Sequence, residues 1–385
     1  MADVSPGPSP RLADLSRLIH REVVLLAVLS AMAAGGFLLT RWAAADNLER
    51  RELDAAAWFA RGGLALSAGQ AAPAVRAFER AASRRPDDWT YASALADALI
   101  ADDQSASARR VLLQWRQRRP DAPAVNIQLA RLEADSGDVD AAVGYYESAL
   151  HGQWSEPTVI SRLDLRRELI HFQLRQGLVA PALAQTLILA ANVPDEAAAH
   201  IDVGELLLSA GDPDRALDRF ARALRLEPTN IRARAAGVKA AYALGDYPRV
   251  LSYARGLSDA ETRERARVAT LVLATDPLEP RLSFGERGRR LATLAEYAAR
   301  QLDVCRQRSP QATPLAERTA QALADALAGF TAGLSPSRLR ESSDVLERGV
   351  RLGAQALDVV RQRCPPLEPR GEAIVRVARR HGVTE

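Results

Sequence analysis

Residues 197–230 read AAAHIDVGELLLSAGDPDRALDRFARALRLEPTN, and this stretch decides the fold. It holds two apolar-periodic helices divided by Gly211-Asp212-Pro213. Glycine ends the first helix because, lacking a Cβ, it enters the left-handed region freely. Aspartate helps the turn and caps the second helix. Small residues stand at Ala216 and Ala223, with bulky Phe220 between them on the same helical face. Pro228 then stops the helix, since proline cannot donate the next hydrogen bond.

The same punctuation recurs along the chain. Gly69, Gly137, Gly177, Gly211 and Gly245 each follow an apolar stretch, and Asp103 fills the one gap. The spacings are 34, 34, 40, 34 and 34 residues. The second helices carry Ala74, Phe78, Ala81 and Pro86, then Ala108, Leu112, Trp115 and Pro120, then Ala142, Tyr146, Ala149 and, in place of proline, Trp154. A fixed period of this size predicts a solenoid of stacked helical hairpins.

The pattern resembles the tetratricopeptide repeat family. Six copies are expected over residues 55–264: 55–88, 89–122, 123–156, 163–196, 197–230 and 231–264, with six extra residues around Glu156 to Arg162. The fourth copy is degenerate, with Thr186 and Leu189 at the aromatic and small positions, and so is the sixth, with Val250, Ala254 and Thr262. The resemblance implies an all-α, right-handed α-solenoid that holds a protein or peptide partner on its concave face and performs no catalysis. Carried over position by position, the inward-facing residues are Phe59 and Gly63, Ser93 and Asp97, Ile127 and Arg131, Arg167 and His171, Ile201 and Glu205, and Ala235 and Lys239. Arg131, Arg167, His171 and Lys239, with Arg175 nearby, offer an acceptor site for an acidic partner, or stand as ordinary surface charges offset by Asp97, Asp135, Asp164 and Glu205. Phe59 and Tyr242 are apolar anchors in that groove, or packing between repeats. The lysine–asparagine set with which some members clamp a terminal carboxylate is absent.

Composition supports helices and little else. Aromatics make up 5% of the chain, and period-two alternation is scarce. The net charge is +3, with signs interspersed, so the clustered basic stripe of a nucleic-acid binder is missing. Lys239 is the sole lysine, as a high-GC codon bias favouring arginine would leave it.

Residues 23–40, VVLLAVLSAMAAGGFLLT, carry no charge. As a helix they span about 27 Å, close to the hydrocarbon thickness of a bilayer. Trp42 follows at the depth of an interfacial aromatic. A single-pass anchor is expected, preferred to a cleaved signal peptide because the run is long and Arg41 intrudes. Residues 1–22 form a cytoplasmic tail, disordered then helical, and 41–54 a charged helical stem. Three arginines flank the span on each side, so charge does not orient it. A short tail ahead of a first span usually stays inside, which places residues 42–385 on the periplasmic side of a bacterial inner membrane. Ala31-x-x-x-Gly35 has the small-residue spacing that lets two such helices pack, so a homo-oligomer organised through the anchor is a second reading.

Residues 265–385 lose the 34-residue register but stay helical, over 287–307, 314–330, 341–363 and a short 371–381. Leu302-Asp303-Val304-Cys305-Arg306-Gln307-Arg308 is echoed by Leu357-Asp358-Val359-Val360-Arg361-Gln362-Arg363, and Leu291 and Ala299 by Leu346 and Ala354. This region is expected to be a helical cap on the open solenoid end. Cys305 and Cys364 are either a disulfide, as an exported domain permits, or two buried small apolar residues. No catalytic, phosphate-binding or metal-ligand motif emerges, and no cofactor is expected. An enzyme with unfamiliar chemistry in 265–385 is the third reading.

Overall fold

The computed structural model describes residues 10–154, 160–308, 314–334 and 343–383. The expected tail at residues 1–9, Pro310 and most of the insertion after Glu156 lie outside the described residues. Within them the chain is all-helical. Its contacts divide it into two compact units, Met1–Arg162 and Leu163–Glu385.

The first unit is built from α1 (Pro10–Ser67), α2 (Ala71–Arg84), α3 (Trp89–Ala101), α4 (Ser105–Arg118), α5 (Pro123–Ser136) and α6 (Val139–His151). Anchor, stem and first repeat helix, read as three segments from sequence, are one unbroken helix of 58 residues. Its apolar stretch from Val23 is the one segment among the described residues long and apolar enough to cross a membrane, and none of it is buried. From residue 55 the hairpins follow, each second helix packing on the next first helix: α2 on α3, α4 on α5.

The second unit begins with α7 (Arg162–Arg175), α8 (Val179–Ala190), α9 (Ala197–Ser209), α10 (Pro213–Leu226), α11 (Ile231–Ala243), α12 (Tyr247–Ala254) and α13 (Ala260–Thr275). Residue 264, the expected end of the sixth copy, falls inside α13. The C-terminal helices are α14 (Phe284–Arg308), α15 (Pro314–Ala332), α16 (Ser343–Arg363) and α17 (Pro369–Arg380). Helices α14, α15 and α16 pack on one another, and α17 lies on α13 and α16. The echoed residues Leu291, Leu302, Leu346, Ala354 and Leu357 are all buried in this core. Cys305 and Cys364 are joined as a disulfide that ties the ends of α14 and α16 together.

Every punctuation residue adopts the conformation its position demands. The backbone φ is +71° at Gly69, +58° at Asp103, +84° at Gly137, +73° at Gly177, +77° at Gly211 and +71° at Gly245. Aspartate replaces glycine once because a short polar side chain tolerates the left-handed region. Asp138, Asp212 and Asp246 then accept from backbone N–H groups of α6, α10 and α12. Helices α2, α4 and α10 each stop two residues before their proline. Trp154, standing where proline is missing, donates its indole N–H to the Ala149 carbonyl at 3.0 Å near the end of α6.

Inside each hairpin the two helices meet at the eighth and twenty-fourth positions of the repeat. A Cβ on Gly62 would lie 2.6 Å from the ring of Phe78, and one on Gly204 2.5 Å from the ring of Phe220. The other copies trade volume across the same two positions: Ala96 with Leu112, Ala130 with Tyr146, and, inverted, Ile170 with Thr186, all buried. The fourth copy thus lacks an aromatic because isoleucine occupies the place of glycine. The Thr186 hydroxyl is satisfied by the Ala182 carbonyl at 2.7 Å. In the sixth copy the pair slides back one residue, and Gly237 lies under Tyr253, 2.7 Å from a would-be Cβ. Ala254, read from sequence at the aromatic position, sits one residue after that ring.

Phe220 is fully buried, so its ring has nowhere to retreat. Gly204→Ala is therefore expected to destabilise the second unit by about 1–3 kcal/mol, the usual cost of overpacking a closed core. Urea unfolding of Gly204→Ala beside Gly204→Ala/Phe220→Leu checks this, with the double variant expected to recover part of the loss.

Candidate functional site

The first helices of the hairpins touch one another along a polar row within each unit. In the first unit the row runs from α1 through α3 to α5. Phe59 sits in it, half-buried, its ring 5.5 Å from that of Phe78 and 5.4 Å from that of Tyr91. Phe59 therefore packs between two repeats. Further along, the Gln128 amide of α5 donates to Ser93 Oγ at 2.8 Å and to Asp97 Oδ1 at 3.0 Å, both on α3. Ile127, beside it, is buried.

Asp97 is open to solvent but enclosed by neighbouring helices. Burial lifts its carboxyl above the ordinary carboxylate range, and the charge of Arg131 acts in the opposite direction. A carboxyl with a raised pKa keeps its proton to higher pH in the folded state than in the unfolded one. Its charge thus costs stability at neutral pH, and that cost fades as pH falls through the shifted value.

In the second unit the row runs through α9, α11 and α13. Arg232 of α11 places a two-pronged contact on Glu205 of α9, at 3.0 and 2.6 Å, and a further contact on Asp202 at 3.0 Å. Lys239 meets Glu261 of α13 at 3.3 Å. Arg265 and Lys239 together hold the Glu261 carboxyl below its usual range. On α7, Arg167 is paired with Asp164 at 2.7 Å. His171 and Arg175 are exposed on the same helix and have no partner among the described residues. Of the basic residues expected to receive an acidic partner, Arg131 thus belongs to the first unit, Arg167 and Lys239 are engaged, and His171 and Arg175 are the open ones.

Tyr242 is occupied from within the chain. The guanidinium of Arg376, on α17, stacks 4.9 Å from its ring centroid and that of Arg265 at 5.7 Å, while Tyr247 meets it edge-on at 6.1 Å. Nearby, the fully buried carboxylate of Asp276 accepts from Arg380 at 3.0 Å and from His381 at 2.8 Å. Arg290 of α14 donates to the Leu273 and Asp276 carbonyls at 2.7 and 3.2 Å. The C-terminal helix thus closes the last hairpin with polar as well as apolar contacts. A cleft of about 240 Å³ between α13, α14 and α17 is lined by Glu286, Arg289, Arg290 and Arg370. Glu286 already holds both Arg289 and Arg290 there.

The repeated hairpins and their polar inner rows define an α-solenoid of the interaction-scaffold class. A family model described as tetratricopeptide repeat matches residues 207–274, from within α9 almost to the end of α13. The chain contains tetratricopeptide repeats, and that fold is a platform for protein–protein interaction. No curated protein matches it. Among solved structures it is similar to PilF of Pseudomonas aeruginosa, at 16% identity and a TM-score of 0.37 over 56% of this chain and 97% of that one. It is similar to PilW, a type IV pilus biogenesis factor, at 16% identity and a TM-score of 0.37 over 56% and 98%. The C-terminal part of a TPR repeat-containing protein from Cytophaga hutchinsonii aligns at 12% identity and a TM-score of 0.40 over 76% and 98%.

Removing the Arg131 charge takes away the influence that lowers the Asp97 pKa. In Arg131→Ala, carboxyl-detected NMR titration is expected to move the Asp97 midpoint upward, and Gln128→Ala, which removes the donor to the ionised form, is expected to move it the same way.

Proposed function

We propose that this chain is a non-catalytic, membrane-anchored scaffold of the bacterial envelope that holds a protein or peptide partner along its inner rows. The observation that carries the reading is α1. An uncharged, wholly exposed stretch long enough for a bilayer runs without interruption into the first repeat helix. The Cys305–Cys364 pair supports a periplasmic side for the repeats, since disulfides persist in oxidising compartments. The partner lies against α7, where the exposed Arg175 offers positive charge and the exposed His171 a hydrogen-bonding ring, and it carries carboxylates in an extended or helical segment.

A compartment reporter fused after Glu385 tests the orientation: activity restricted to the periplasm is the expected result, and cytoplasmic activity refutes it. Cross-linking in membranes followed by purification of the full chain tests the scaffold. Partners are expected to be recovered with the wild type. Arg175→Glu combined with His171→Ala should lower that recovery about tenfold, the equivalent of roughly 1.4 kcal/mol. Recovery of the chain alone, with nothing attached, contradicts the proposal.

A further inference from the structure

The first repeat leaves open a surface that later repeats bury. Helices α3, α5, α9 and α11 each pack on the second helix of the hairpin before them. Their tenth repeat position is closed off in that contact: Ala98, Leu132, Ala240 and Leu206 are 0, 2, 0 and 5% exposed. The third position is buried likewise at Val125, Ala199 and Ala233. In α1, which has no hairpin before it, the tenth position is Leu64, 71% exposed, and the third is Ala57, also exposed. Leu53, 66% exposed, and Ala60 complete the face at the spacing of one helical stripe. Opposite it lie Ala55, Phe59 and Gly62, the side turned to the repeat core. The stripe Leu53, Ala57, Ala60, Leu64, Ser67 carries no charge. A solvated helix face is ordinarily polar, and a terminal repeat in particular needs a polar outer face.

We propose that a second copy of this chain covers this face, with two α1 helices side by side and parallel. Three observations favour that occupant. The helix is continuous with the apolar stretch 23–40, so two copies in one membrane stand parallel and at one height, and Leu53 and Leu64 meet their own counterparts across a twofold axis. Ala31 and Gly35 of that stretch fall on the same side as Leu53, Ala57, Ala60 and Leu64, within about 80° at 3.6 residues per turn. Finally, head-to-tail stacking on another copy's last hairpin is blocked by α17, whose Arg376 and Arg380 are bound to Tyr242 and Asp276. Asp46 and Glu49 interrupt the apolar run, and Arg50, 2.9 Å from Asp46, stands beside them to offset the two acidic rows. From Leu53 to Leu64 the helix rises only about 17 Å, so the pairing needs the membrane segment as well and rests on the anchor reading.

Both native cysteines are bonded to each other, so a single introduced cysteine is the only free thiol. The full chain carrying Leu53→Cys, Ala57→Cys, Ala60→Cys or Leu64→Cys is oxidised with copper-phenanthroline in native membranes. Arg51→Cys and Asp54→Cys, on other sides of the helix, serve as references. Disulfide-linked dimers are expected at the four stripe positions, roughly fivefold or more above the references, as one helical face requires. Leu64→Glu added to Ala60→Cys should abolish the dimer while leaving the melting temperature unchanged. Monomer only, equal cross-linking at all six positions, or linkage to a different protein overturns the proposal while the chain stays in the membrane fraction. Release of the chain by a carbonate wash instead overturns the anchor, and the parallel pair with it.

Discussion

Everything else in the repeats depends on one approach distance, that between the two helices of a hairpin. Gly62 and Gly204 have no side chain where Phe78 and Phe220 press in, and the gap left for a methyl group is under 3 Å. The aromatic supplies the apolar area, and glycine supplies the closeness that lets the ring be fully covered. What is held constant from copy to copy is the combined volume of the pair, as close-packed interiors demand. Glycine with phenylalanine, alanine with leucine or tyrosine, and isoleucine with threonine are successive solutions to that one constraint.

This constraint explains which parts of the fold were legible in the sequence. The turns were, because each needs a residue able to hold positive φ, and only glycine or a short polar residue serves. Capping aspartates and stopping prolines were legible for the same reason: each acts within a few residues of itself. The fourth copy read as degenerate because its aromatic is missing, while its compensating Ile170 lies sixteen residues upstream and resembles any core residue. The sixth read as degenerate because Tyr253 and Gly237 slipped together. A search for glycine and aromatic sixteen residues apart finds Gly62, Gly204 and Gly237 with their rings and would have caught that slip.

The inner rows were less legible. Position in the repeat indicated which residues line them, but not what those residues do. Arg232 reaches Glu205, 27 residues away, and Arg376 reaches Tyr242 from the far end of the chain. Such contacts have no periodic signature. They show that much of the apparent charge is already spoken for, Lys239 by Glu261 and Arg167 by Asp164, so a ligand would have to displace those partners or settle on His171 and Arg175. Asp276 was not visible as a structural residue at all, since its meaning comes from Arg380 and His381 more than a hundred positions later.

The unbroken α1 also sets how force and orientation pass along the molecule. A flexible tether would let the first unit tumble independently of the apolar stretch 23–40. Under the anchor reading, a rigid shaft instead sets the height of the first unit, about 20 Å over the 13 steps from Trp42 to Ala55. Lengthening or shortening the stem by a single residue would turn the first unit through about 100° relative to the face of the apolar stretch 23–40 while moving it only about 1.5 Å along the axis.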